Sequence, residues 1–294
     1  MIQKQLELNG HAGAVYSGTF DGTFLYTASA DKYVTRWNLT TGVQDKFAIK
    51  FDHTPYCIHI ALNMLWVGLA NGDLHVFDLI EKKEINYFKL HKEAIFSISF
   101  NAVSHHVYVG DADGNVSVWD AGKMKLLISI PLNSGKIRDI AVDEINQSFC
   151  VASQDGFLRV IDATNFNELQ KFFAHKDGAT SVIFNPKDQN QLISGGKDAL
   201  LKYWDIESAN CFVSIPAHNY AVYRILALNS GSCLITASRD KSLKIWDTIP
   251  ASFIQKIERK SGGHSHSVND IVAMNENTFA SVSEDKKAIV WTVS

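Results

Sequence analysis

Histidine, serine and aspartate return together along this chain: His11 with Ser29 and Asp31, His218 with Ser238 and Asp240, His264 with Ser283 and Asp285. A nucleophilic hydroxyl, an imidazole base and an orienting carboxylate are the parts of an acyl-transfer triad. The sets, however, stand at the same place in successive copies of one pattern, so a structural explanation comes before a catalytic one. Asp111-Ala112-Asp113-Gly114-Asn115 opens like a calcium loop but lacks the distal bidentate Glu, and it too falls on a repeated turn. Neither His105-His106 nor His264 with His266 assembles three ligands for zinc, because adjacent side chains on a strand or tight loop point apart. Glycine spacing of the Walker or dinucleotide type is missing. The expectation is no catalytic residue, no metal and no cofactor.

The elements that must position these groups are read from a comb of positions, Trp37, Phe77, Trp119, Ile161, Trp204, Trp246 and Trp291, spaced by roughly 42 residues. A turn Asp or Asn stands six places before each, at Asp31, Asn71, Asp113, Asp155, Asp198, Asp240 and Asp285. The sixth copy displays the unit: Ala217-Val222, Leu234-Asp240, Leu243-Asp247 and Phe253-Ile257 are short, β-branched or aromatic, alternating, and bounded by turn residues. That is the pattern of four strands joined by tight turns. Helical periodicity is absent. Seven units use the whole length without a linker, so the expectation is one all-β domain over 1–294, with units at approximately 10–50, 51–90, 91–131, 132–173, 174–216, 217–258 and 259–294 plus 2–8.

The chain resembles the WD-repeat family of seven-bladed β-propellers. Gly10-His11 and Gly263-His264 carry the resemblance, with the relaxed forms Asp52-His53, Leu90-His91, Ala174-His175 and Ala217-His218, and so do Trp119-Asp120, Trp204-Asp205 and Trp246-Asp247. The resemblance implies antiparallel four-stranded blades around a channel, each braced by a buried network of His, Ser or Thr, Asp and Trp. Those groups have complementary donors and acceptors and can satisfy one another out of water. Copies one, six and seven match in full, through Ser29, Ser238 and Ser283. Copies two to five depart, with Leu69 and Phe77, Asp111, Asn133 and Ile161, and Gly196; blades two and four are expected to rely most on packing. The family also implies that the segment from Ile2 to Leu8 completes the last blade, which otherwise stops after its third strand at Trp291-Ser294.

Composition bounds the partner. With 28 basic and 31 acidic residues, the chain lacks the concentrated basic surface that captures duplex nucleic acid. Its N-terminus lacks the apolar core of a signal peptide, and its most apolar stretch, Cys57 to Ala70, is too short to span a bilayer. Four scattered cysteines, Cys57, Cys150, Cys211 and Cys233, read as small buried hydrophobes. A soluble cytoplasmic protein is expected, a monomeric ring or a subunit of a larger complex.

Once scaffold positions are set aside, the resemblance implies that partner binding falls on residues three and five places after the His and just before the turn Asp. The five-place column reads Tyr16, Ile58, Phe96, Arg138, Thr180, Tyr223 and Asn269; the other columns add Tyr56, Lys136, Lys197, Arg239 and Glu284. Aromatic and Arg side chains supply much of the energy at protein interfaces. The excess of positive charge suits a peptide or protein segment with acidic or phosphorylated side chains. The expected function is a non-catalytic protein–protein interaction scaffold. The alternative is a propeller lyase or hydrolase using Arg138, Asp139, Arg239 and Glu284 at the channel mouth.

Overall fold

The computed structural model describes residues 2–249 and 251–293; Met1, Pro250 and Ser294, the outermost residues of the expected domain among them, lie outside the described residues. Among the described residues, seven four-stranded antiparallel sheets account for the strands, and the one short helical turn is Arg259–Ser261. The first strand of each sheet packs against the first strands of both neighbours, and the seventh against the first, which makes a closed ring. Those inner strands are Val15–Phe20, Pro55–Ala61, Ile95–Asn101, Ile137–Asp143, Ala179–Asn185, Val222–Leu228 and Val268–Asn275.

Burial follows from this arrangement. The second strands Met64–Leu69, Ser148–Ser153 and Cys233–Ser238 are buried at every position, because a neighbouring blade covers each face. The outermost strand Asn210–Pro216 alternates exposed and half-buried side chains, as a rim strand with one wet face must. The apolar core therefore lies between blades: Ile235, Ala237 and Ile245 of the sixth pack with Val268, Ile271 and Phe279 of the seventh. Cys57, Cys150 and Cys233 are buried free thiols, whereas Cys211, expected inside, is only partly covered on that same rim strand.

The ring closes as the resemblance implied. Ile2–Asn9 pairs antiparallel with Lys287–Val293, from Ile2 opposite Val293 to Asn9 opposite Lys287. Leu8 is fully buried there. Lys287 Nζ meets Glu7 Oε1 at 2.5 Å, and the Ile2 amide donates to Gln255 Oε1 on the sixth blade at 3.0 Å. Closure leaves the last sheet no missing strand, and so no open edge inside the ring.

The bracing networks differ from the expectation in one respect that has a geometric cause. In blade one His11 Nδ1 bonds Asp31 at 2.8 Å and its Nε2 bonds Thr27 Oγ1 at 2.8 Å, while Trp37 Nε1 donates to the same Thr27 oxygen at 2.7 Å. The bridging hydroxyl is thus Thr27, two residues before Ser29, and equally Thr236 and Ser281 rather than Ser238 and Ser283. Strand side chains alternate, so the later serine points to the same face but sits one step nearer the turn. There Ser29 donates to the Gly13 carbonyl and accepts from the Asp31 amide.

Blades three and five, expected to be incomplete, are complete. In blade three Ser117, which pairs across the hairpin with Val109, supplies the hydroxyl from the opposite strand, and Asp111 rather than Asp113 holds His91 at 2.7 Å. In blade five Ser194 joins His175 to Trp204, and Gly196 makes room for the imidazole: a Cβ there would lie 2.3 Å from His175 Cγ.

Blades two and four do lack the network. Phe51, not the exposed His53, occupies the position four before the inner strand, and its ring packs on Phe77 with centroids 5.8 Å apart. In blade four the buried Arg159 bonds Ser153 at 2.8 Å and pairs with Asp155 at 2.5 Å. Among the described residues no three His, Cys, Asp or Glu side chains converge as metal ligands would, and no helix is long and apolar enough to cross a membrane.

Candidate functional site

Every inner strand carries the same irregularity at its second residue. Val15 lies opposite Ser29 and Ser17 opposite Ala28, which leaves Tyr16 as the extra residue of a bulge. The same register shift singles out Tyr56, Phe96, Arg138, Thr180, Tyr223 and Asn269. A bulge bends its strand and re-aims one side chain. Here all seven extra residues line a single cavity of about 740 Å³ at the mouth of the channel.

Blade two is therefore read differently from its sequence. Its inner strand begins two residues sooner after His53 than the other copies imply, so Tyr56, not Ile58, stands in the column of Tyr16 and Phe96. Ile58 is buried against Leu65 and Val67 in the core, lining only the cavity wall. That two-residue difference makes the aromatic residues contiguous. Tyr16 meets Tyr56 edge to face at 5.2 Å, and Tyr56 stacks on Phe96 at 5.1 Å and 23°. Beyond them Lys136 Nζ and Arg138 Cζ lie 5.4 and 5.1 Å from the Phe96 centroid, within cation–π range.

Nine of the eleven candidate residues line this cavity: Tyr16, Tyr56, Ile58, Phe96, Lys136, Arg138, Tyr223, Asn269 and Glu284. Lys197 and Arg239 do not. Both are exposed, and Arg239 sits over the ring of Tyr220 at 5.9 Å, outside the mouth. Asn269 is anchored by donating to the Val15 carbonyl at 2.8 Å. Burial pushes the Tyr223 hydroxyl above its ordinary pKa, against the pull of Arg239 and Arg138, so it stays a neutral donor at physiological pH.

Beneath the rim lies a group that sequence reasoning did not single out. Arg224 bonds Asp139, and its Nε lies 3.2 Å from Asp270 Oδ1. The aspartates are also held by blade-to-blade bonds: Ser181 Oγ and the Val182 amide donate to Asp139, and Ser17 Oγ and the Gly18 amide donate to Asp270. Burial opposes the Arg224 charge, but Asp139 and Asp270 together outweigh it and raise its pKa. Asp270 is raised by burial, with Arg224 only partly offsetting it. The signal was present in the repeat: the residue after each bulge is small in four copies, Ser17, Cys57, Ser97 and Ser181, and charged in three.

Comparison with known proteins agrees with this architecture. The pattern of the family described as WD domain, G-beta repeat, matches residues 2–38, 82–120, 166–205 and 209–247, just over half of the chain. Among similar proteins, Coatomer subunit beta'-2 of Arabidopsis thaliana is 33% identical over 104 residues, 35% of this chain and 11% of that protein. Nuclear distribution protein nudF 1 of Talaromyces marneffei is 32% identical over 124 residues, 41% of this chain and 26% of that protein. Human Pre-mRNA-processing factor 17 is 29% identical over 126 residues, 42% of this chain and 21% of that protein. The matched stretches thus span about a tenth to a quarter of the length of these relatives.

Proposed function

The chain belongs to the WD domain, G-beta repeat family, and on that premise we propose that it is a non-catalytic scaffold that docks a peptide or protein segment over the channel mouth. The observation that carries this reading is the continuous row Tyr16, Tyr56, Phe96 with Lys136 and Arg138 laid against its end. Rigid aromatic and guanidinium groups bury large areas at small entropic cost, and they dominate binding where they cluster centrally. The cations favour a segment with acidic or phosphorylated side chains. One of the relatives is by name a subunit of an assembly, in keeping with a ring that works alone or within a complex. Four free thiols suit a reducing, cytoplasmic setting.

An enzyme pocket at the same mouth has less support. Asp139, the carboxylate nearest to such a role, already accepts from Arg224, Ser181 and two backbone amides, which leaves little for a substrate. Affinity purification with the wild type, Tyr56→Ala, Phe96→Ala and Arg138→Gln tests the docking reading. Loss of the same captured proteins in all three supports it, and unchanged captured sets in all three overturn it.

A further inference from the structure

The mouth is not uniform around its circumference. Its contiguous aromatic row belongs to blades one to three, with Tyr223 standing apart on blade six; Lys136 and Arg138, the lining cations with no ion pair among the described residues, belong to blade four and lie against the last ring of the row. Resting on the docking reading above, we infer that the partner is an extended segment that seats a large apolar or aromatic side chain on Tyr56 and Phe96. It places the carboxylate of an Asp or Glu, two residues away on the same face, on Lys136 and Arg138.

Two observations carry the order and the spacing. The rings step by 5.2 and 5.1 Å, and the cationic atoms stand 5.4 and 5.1 Å from the Phe96 centroid. An extended chain advances about 3.3 Å per residue and alternates its side chains, so residues two apart share a face and stand roughly 6 to 7 Å from one another, close to that interval. A wider separation would carry the acidic group past both cations.

Charge decides for a carboxylate over a phosphate. Arg224 lines the cavity but is held by Asp139 and Asp270. Among the described residues lining the mouth, Lys136 and Arg138 stand against Glu284, and the Arg224 bracket with its two aspartates adds no positive charge, so the net is at most one positive charge. A carboxylate meets that balance. A phosphoryl group, with nearly twice the charge at neutral pH, would bring an uncompensated charge beside Glu284. Burial works against the charged form of Arg138, with Tyr223 and Asp139 only partly offsetting it, and an approaching carboxylate provides the direct ion pair that the guanidinium does not make among the described residues.

A phage-displayed library of random twelve-residue peptides, selected on the immobilised full chain, tests the proposal. Selection on Phe96→Ala and on the double variant Lys136→Gln/Arg138→Gln runs in parallel, with both variants first shown by thermal melts to be fully folded at the selection temperature. Peptides enriched on the wild type should share a large apolar residue with Asp or Glu two positions away. Phe96→Ala should abolish their enrichment, and the double variant should keep the apolar residue while losing the acidic preference. For a selected peptide, Asp→Asn should weaken binding by about tenfold, the scale of one charge-assisted contact. Enrichment that depends on Phe96 but shows no acidic residue at that spacing overturns the inference and leaves the docking reading intact. Enrichment equal on wild type and Phe96→Ala, or none on either, overturns both. A phosphoserine replacement that binds tenfold more tightly than the Asp peptide overturns the carboxylate assignment.

Discussion

The guanidinium of Arg224, on the sixth blade, donates to the carboxylate of Asp139, on the fourth, and so spans the fifth blade between them. With Asp270 on the seventh blade it forms a charged bracket under the rim, each member following a bulge residue of the mouth: Arg138, Tyr223 and Asn269.

Arg224→Met should therefore destabilise the ring. It leaves two buried carboxylates without their cation, a change that costs about 3 to 5 kcal/mol for fully buried pairs. The Arg224 side chain is 36% exposed to the channel, which brings the expected loss in urea melts to roughly 1 to 3 kcal/mol after solvent screening. Asp270 has a raised pKa in the folded state. Its folded form therefore holds a proton that the unfolded form has released, and stability falls as pH rises through the window above the ordinary carboxylate value. The variant should recover part of its loss as the pH falls toward the ordinary carboxylate range, and a deficit that grows on acidification would contradict the assignment.

Thr236 bridges His218 and Trp246, whereas Ser238 bonds only backbone groups. Thr236→Val should cost about 2 kcal/mol by stranding two buried partners, and Ser238→Ala roughly half as much. For the same reason Trp246→Ala should exceed Phe77→Ala by more than their volumes explain, since Phe77 braces its blade by packing alone. Equal losses within either pair in urea melts would argue against the networks as described.

Glu7 joins the closing strand to Lys287, and its carboxyl is held down at about 2 by Lys287 and Lys4. A depressed pKa contributes stability that is present above the unfolded value and lost as pH falls through the folded one, here between about 4.5 and 2. Glu7→Gln should remove roughly 1 kcal/mol or less at pH 7, as a partly exposed pair does, and flatten that acid limb. Deleting residues 2–8 should lower the melting temperature sharply, because it strips the last sheet of its fourth strand; an unchanged value would refute closure.

At the mouth, Phe96→Ala should cost about 1 kcal/mol in stability, since the ring is only half-buried, yet reduce partner capture more than tenfold. Lys197→Gln and Arg239→Gln, outside the cavity, should leave capture unchanged. The reverse ranking in quantitative pull-downs would move the docking surface away from the row.

Gly196→Ser restores the residue that the repeat pattern favours, and it should nevertheless destabilise blade five by about 2 kcal/mol. The added side chain would overlap the His175 ring, whose Cγ lies 2.3 Å from the required Cβ position. A rise in melting temperature would show that the imidazole can move aside.

The repeat by itself determined the number of blades and the four strands in each, because periodic alternation and turn residues act locally and recur; closure by residues 2–8 was implied by the family resemblance, to which the sequence added a strand in surplus at its start and one missing after Trp291. It also marked, at Phe77 and Ile161, the blades without the His, hydroxyl and Trp network, although in blade four Arg159 with Ser153 and Asp155 supplies a different polar brace. What only the tertiary structure decided depends on groups distant in sequence meeting in space. Ser117 replaces a hydroxyl from the facing strand because paired residues share a face. Tyr56 joins Tyr16 and Phe96 because strand pairing fixes the bulge, whereas counting from His53 places Ile58 there. Arg224 finds Asp139, 85 residues away, because ring closure brings nonadjacent blades to one axis. Aligning the copies shows that Asp139, Arg224 and Asp270 interrupt a column of small residues, but not that the three meet, since the repeat records the unit and not the circle into which the units are bent.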